Sequence, residues 1–215
     1  MTRVQPPGGW AADRPEPRPT SIETFDSEGR RWTATWLEPP FRPQAPDCNQ
    51  AYGICFTRAG VIVLVKLDGD YWNLPGGGVE PAETLEDTLR REVREEACAE
   101  VVECEYIGCQ RVDDPDHPDG PQRYYQARFW ARVGLLPWQE HFEARERRLV
   151  KRGDFLATLQ WGAASSAKII LDAGMRIEAG ARSRLELERA MVSEFKTYAT
   201  GDRQVSQDIV DSHWR

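Results

Sequence analysis

Leu74-Pro-Gly-Gly-Gly-Val-Glu-Pro-Ala-Glu-Thr-Leu-Glu-Asp-Thr-Leu-Arg-Arg-Glu-Val-Arg-Glu-Glu-Ala-Cys-Ala99 is the stretch that decides how this chain folds. Three glycines, Gly76 to Gly78, lead into a segment whose apolar residues Leu85, Leu89, Val93 and Ala97 recur at every fourth place. That period marks a helix with one buried stripe. Thr84 stands at the N-cap position, and Asp87 three residues on completes a capping-box-like start. The same helix carries Glu92, Glu95 and Glu96. At about 100° per residue, Glu96 lies roughly 40° from the centre of the apolar stripe, Glu92 roughly 80° and Glu95 near 140°. A carboxylate so close to the buried sector is costly unless something compensates it, and like charges four residues apart repel. Arg90 and Arg94 project from a different face than Glu96. A bound divalent cation resolves both conflicts: Mg²⁺ is held by clustered oxygens, and such ions act on diphosphate groups.

These residues resemble the Nudix box, Gly-x5-Glu-x7-Arg-Glu-U-x-Glu-Glu-x-Gly-U, with U aliphatic. Gly77, Glu83, Arg91, Glu92, Val93, Glu95 and Glu96 match it, and only the last two places depart, with Cys98 for glycine and Ala99 for a larger aliphatic residue. The missing glycine leaves two expectations for the helix end: a strained left-handed cap at a cost of about 1 kcal/mol, or continuation through Ala99 and Glu100. The resemblance implies that Glu92, Glu95 and Glu96 ligate Mg²⁺ or Mn²⁺, with Glu95 and Glu96 also catalytic. It implies a further oxygen from the Gly76 carbonyl, and a Glu83–Arg91 pair that holds the loop and helix together beside Gly77.

Composition is compatible with this. A chain of 215 residues can form one core that buries roughly 70% of the unfolded surface. A net charge of −7 argues against general nucleic-acid affinity. No run approaches the about 18 apolar residues of a membrane span, and the N-terminus lacks a signal-peptide core. Cys48, Cys55, Cys98, Cys104 and Cys109 form no paired CxxC pattern and read as reduced thiols. The expected compartment is the cytoplasm.

Along the chain, residues 1–20 hold proline, glycine and charge without apolar period, and read as a mobile tail. Ile22–Phe25 and Arg31–Leu37 read as a hairpin around Asp26–Gly29. Pro39, Pro40, Pro43 and Pro46 then make a linker, so that 21–47 precede the main domain. Strands are expected at Gly53–Thr57, Val61–Leu67, Tyr71–Leu74, Val101–Val112 and Arg123–Val133, with a last core strand at Arg147–Val150. Helices are expected near Asp154–Gln160, Ala163–Ala173 and Ser183–Tyr198. Strands on both sides of one central helix predict an α/β (α+β) fold, a mixed sheet with helices on both faces. The resemblance implies an α/β/α sandwich over residues 48–160. The hairpin and a helical extension, 161–215, are additions that suit a homodimer or a covered pocket.

Outside the motif the chemistry is thinner. Glu140, Glu143 and Glu146 precede the last strand, and the resemblance implies an additional carboxylate from this region that binds metal or activates water. Glu146 is the first candidate and Glu143 the second; the bland alternative is an exposed charged face. Trp72 and Tyr124, then Tyr125 and Trp138, are candidates to stack on a nucleobase, although aromatics at such places usually fill core. The acidic stretch Asp113–Pro121 reads as a solvated turn rather than as a loop bringing His117 to substrate. The function implied is a metal-dependent pyrophosphohydrolase acting on a small nucleotide, a nucleoside diphosphate linked to another group. A nucleoside triphosphate, normal or oxidised, is the rival substrate. A catalytically silent nucleotide sensor is the rival class, set against the retention of every box carboxylate.

Overall fold

The computed structural model describes residues 16–27, 29–66, 71–139, 144–184 and 186–187. Most of the expected N-terminal tail, Glu140, Glu143 and the end of the last expected helix lie outside them. The chain divides into two units, residues 1–175 and 176–215.

The first unit is built on a nine-stranded mixed sheet. Its strands are β1 (Ser21–Ser27), β2 (Arg30–Leu37), β3 (Cys48–Thr57), β4 (Ile62–Lys66), β5 (Trp72–Asn73), β6 (Gly76–Gly78), β7 (Ala99–Asp114), β8 (Gln122–Leu135) and β9 (Glu146–Val150). The order is β1-β2-β7-β8-β3-β4-β5, with β6 paired to β3 and β9 to β4. All pairings are antiparallel except β3 with β8, which run parallel from Cys48–Tyr125 to Thr57–Val133. The N-terminal hairpin joins this sheet, as β2 pairs with β7 and continues it outward.

Alternation along β3 sorts the two faces. Leu89 of α1 (Leu85–Ala97) packs so closely on Gly53 that a Cβ there would meet its Cδ1 at 2.8 Å. On the opposite face, a Cβ on Gly174 would meet Ile54 Cγ2 at 2.8 Å, and residues 165–175 around it are helical. Helices therefore cover both faces, as expected. The stripe Leu85, Leu89, Val93 and Ala97 is buried, at about 1.5–3 kcal/mol for each large aliphatic side chain.

Several expectations need correction. β3 begins five residues earlier than its apolar run, because its first half is polar on one face. Gly76–Gly78 is a short strand against Gln50–Tyr52 rather than a free loop. Asp113 and Asp114 belong to β7, so the connection to β8 is shorter than the acidic run. β9 forms, but as an outer strand with only Val150 buried; it is not a core strand. Phe155–Thr158 makes a single helical turn, α2, after a 3-10 turn at Arg152–Asp154. The break expected between 173 and 183 is absent: residues 165–184 are helical throughout, with Gly174 and Gly180 inside. In the second unit Arg182 Nε pairs with Glu178 at 2.7 Å, one turn apart.

Candidate active site

The motif helix starts as its sequence dictates. Thr84 Oγ1 accepts the Asp87 amide at 3.1 Å, and Asp87 accepts the Thr84 amide at 3.1 Å, a complete capping box. It stops at Ala97, with Cys98 left-handed at φ 44°, ψ 55°. Of the two expected endings, the strained cap is the one formed.

Burial along α1 follows the angular order read from the spacing. Glu96 is 3% exposed and Glu92 8%, whereas the Glu95 side chain keeps 38%. Gly76 donates its amide to Glu96 Oε2 at 2.9 Å. A Cβ on Gly77 would meet Glu92 Oε1 at 2.4 Å, and one on Gly76 would strike the Ala51 carbonyl oxygen at 2.2 Å. Position 76 admits only glycine, because β6 lies flush on β3 with Gly76 at φ 145°, whereas at Gly77 a side chain, the Glu92 carboxylate, fills the space.

Arg91 organises the rim. Its Nε donates to Glu83 Oε1 at 2.7 Å, Nη2 to the Gly78 carbonyl at 2.8 Å, and Nη1 to Glu92 at 2.8 Å and Glu95 at 3.2 Å. Glu83 also accepts the Glu80 amide and the Thr88 hydroxyl. The hydrogen bond from Arg91, ahead of these, pulls the Glu83 carboxyl down to about 2. The anticipated Glu83–Arg91 contact is present, and the reach of Arg91 to Glu92 and Glu95 was not foreseen. Among the described residues no three acidic, histidine or cysteine side chains close on one point, since the Arg91 guanidinium separates Glu92 from Glu95. The donor set is nonetheless all oxygen, with two carboxylates buried over glycine backbone, and it fits a hard divalent cation once Nη1 moves aside.

Around these groups lies a cleft of about 600 Å³. It is lined by Arg91, Glu92, Glu95 and Glu96 of α1, by Gly76 to Glu80, and by Tyr52. Tyr52 was missed because β3 was expected to begin at Gly53. Its one sequence signal is the alternation Gln50, Tyr52, Ile54, Phe56, which is visible only once the strand is extended backward.

The remaining candidates do not line the cleft. Glu146 stands on β9 with a 54% exposed side chain and pairs with Lys66 Nζ at 3.3 Å. Trp72 lies under the Arg148 guanidinium at 4.2 Å, and Trp138 under Arg147 at 5.6 Å. Tyr125 is buried in the core on the α1 face. Tyr124 projects from the other face of β8, and burial raises the pKa of its hydroxyl. His117 accepts the Asp119 amide within the β7–β8 turn.

A central mixed sheet, a capped glutamate helix and a glycine strand folded onto its carboxylates define one class of protein. The NUDIX domain model matches residues 49–172, more than half of the chain, and the chain belongs to that family. Nucleoside triphosphatase NudI of Escherichia fergusonii is 51% identical over 43 residues, 17% of this chain and 30% of that protein. An RNA pyrophosphohydrolase of Pseudomonas putida is 39% identical over 61 residues, 27% of this chain and 38% of that one. The chain thus spans under half the length of these curated relatives. The Bacillus subtilis pyrophosphohydrolase BsRppH superposes with a TM-score of 0.53 at 19% identity, over 70% of this chain and 94% of that one.

Proposed function

We propose that this chain is a metal-dependent pyrophosphohydrolase that cleaves a phosphoanhydride bond of a nucleotide. The observation carrying the reading is the pair of buried carboxylates, Glu92 and Glu96, facing a glycine strand in an open cleft beside Glu95. Glu92, Glu95 and Glu96 would hold Mg²⁺ or Mn²⁺. When bound, the ion supplies charge neutralisation of the diphosphate and polarisation of a phosphoryl oxygen. Glu96, which accepts the Gly76 amide, would turn its carboxylate to the ion or to the proton of an attacking water. Glu95, the most exposed of the three, would relay that proton to solvent. Arg91 retains Glu83 and Gly78 through Nε and Nη2 while Nη1 is released, so the helix stays docked as the cleft fills. The leaving phosphate departs towards the open side of the cleft. Glu146 would act only if β9 or its substrate approached from the Lys66 side.

The sequence favours a nucleoside diphosphate joined to a further group. Similarity to a nucleoside triphosphatase and to an RNA pyrophosphohydrolase favours a triphosphate as the second reading. A product-resolved hydrolysis screen with Mg²⁺ or Mn²⁺ separates them. The panel spans nucleotide sugars, ADP-ribose, dinucleoside polyphosphates, coenzyme A, normal and oxidised triphosphates and 5′-triphosphorylated RNA. Turnover that Glu96→Gln lowers at least about 100-fold supports the enzyme, and pyrophosphate release marks a triphosphate. An intact panel sinks the reading, and nucleotide binding without turnover would point to a silent sensor.

A further inference from the structure

The sheet face opposite α1 carries a polar cluster that the carboxylate chemistry does not use. Gln50 and Tyr52 of β3, Gln126 and Arg128 of β8 and Gln110 of β7 meet there through the pairs Gln50–Gln126, Tyr52–Arg128 and Gln110–Gln126. Arg128 is 5% exposed, and its guanidinium stacks 4.6 Å from the centre of the Tyr52 ring. Nη2 donates to Gln110 Oε1 at 2.5 Å and Gln126 Oε1 at 2.7 Å, and Nη1 reaches the Ala127 carbonyl at 3.4 Å. Nε is buried with no partner. Among the described residues no carboxylate pairs with Arg128. Burial holds its pKa down to about 10, so the group is still a cation at neutral pH. A buried cation met only by neutral amides is costly.

The cluster has a fixed polarity. A guanidinium only donates, so Gln110 and Gln126 must turn their oxygens to Arg128. The Gln126 nitrogen then faces Gln50 and donates to its Oε1, which also takes the Tyr52 hydroxyl at 3.4 Å. Each amide oxygen is engaged, while the amide nitrogens of Gln50 and Gln110 donate to no described residue. The cluster therefore offers the unused amide donors of Gln50 and Gln110 beside a positive charge that lacks a counter-ion. A neutral nucleobase edge would bring no charge to offset the buried guanidinium. A phosphate presents acceptors alone, and its charge supplies the absent counter-ion. Tyr52 is the shared wall, lining the cleft while stacking on Arg128.

We infer that Arg128, Gln110 and Gln50 form an anion subsite for a substrate phosphate outside the pair held at the carboxylates, so that the preferred substrate carries three linked phosphates. This deepens the proposed hydrolase and relies on it only for the kinetic consequence. Titration calorimetry with inorganic tripolyphosphate and pyrophosphate in Mg²⁺ tests the subsite without turnover. The wild type should bind tripolyphosphate at least tenfold more tightly than pyrophosphate. Gln110→Glu has nearly the same shape and places an internal counter-ion on Nη2, and should remove most of that tenfold preference. Gln50→Ala, at a half-buried position, should remove part of it by deleting one donor. In kinetics, the kcat/KM ratio of nucleoside triphosphate to diphosphate-linked substrate should fall about tenfold in Gln110→Glu, chiefly through KM. Equal wild-type affinity for the two anions overturns the inference, as does an equal loss for both in the variants. Absent turnover with the binding preference intact would instead sink the hydrolase reading alone.

Discussion

The Arg147 guanidinium lies 2.8 Å from the carbonyl oxygen of Cys98. The same nitrogen, Nη1, donates to the carbonyls of Ala97 at 2.8 Å and Leu136 at 3.1 Å. The C-terminus of α1 is thus closed by a cation from β9, where orphan carbonyls and the negative end of the helix dipole favour one. The left-handed Cys98 turns the chain, and Arg147 supplies the donor that steadies the turn.

Arg147→Met should destabilise the protein by about 2–3 kcal/mol, since three carbonyls lose a charged donor and are left in a half-buried place. Arg147→Lys should recover part of that through one point charge. Urea unfolding of the three proteins measures it. A loss under about 0.5 kcal/mol would show that water replaces the guanidinium freely.

Adjacent glycines should fail in different ways. Gly76→Ala drives a Cβ onto the Ala51 carbonyl at 2.2 Å with φ at 145°, and rigid backbone cannot yield. It should cost several kcal/mol, on the order of 3, and show as a lowered melting temperature. Gly77→Ala meets only the Glu92 carboxylate at 2.4 Å, which can swing away. Its stability should change by less than about 1 kcal/mol while half-saturation by Mg²⁺ rises severalfold. Matching stability losses in the two variants would contradict this.

Glu83 links the loop to α1 in a pH-dependent way. Its folded pKa, about 2, lies below the unfolded carboxylate value because Arg91 hydrogen-bonds to its charged form. The stabilisation is therefore complete above about pH 5 and disappears as pH falls towards 2. Solvent screens the pair, so the contribution is on the order of 1 kcal/mol. The stability gap between wild type and Glu83→Gln should be constant from pH 7 to about 5 and close below it. A gap that widens on acidification would refute the assignment.

Glu23 of β1 accepts the amides of Ser165 and Ser166, capping the helix on the far face. Burial opposes its ionisation, but these serine hydrogen bonds outweigh it and leave its pKa lowered. Glu23→Ala should cost about 1 kcal/mol and speed amide exchange at the start of that helix. Unchanged exchange would mean that other groups hold the helix end.

What was legible beforehand had a local cause. The apolar period placed α1, the Thr84–Asp87 spacing placed its start, and the angular offsets ranked the exposure of Glu96, Glu92 and Glu95 correctly. These follow from the fixed rise and rotation of a helix, which any chain segment carries within itself. The hairpin, the long β7 and β8 strands and the mixed sheet with a helix on each face were also recovered, with shifts of a few residues at their ends. The early start of β3 was hidden because polar residues on one face mask the apolar signal on the other.

By itself, the sequence determined the motif helix, its cap, its three carboxylates and the family to which they belong. Only the tertiary structure decided that Tyr52 walls the cleft, that Arg91 reaches Glu92 and Glu95, and that Glu146 faces Lys66 on an outer strand. The same holds for the cap that Arg147 places on α1 and for the neutral amides that surround Arg128. Helical neighbours three or four places apart are dictated by bond geometry, whereas strand neighbours are chosen by which distant segments pair and in what register. No local period of the chain encodes that choice.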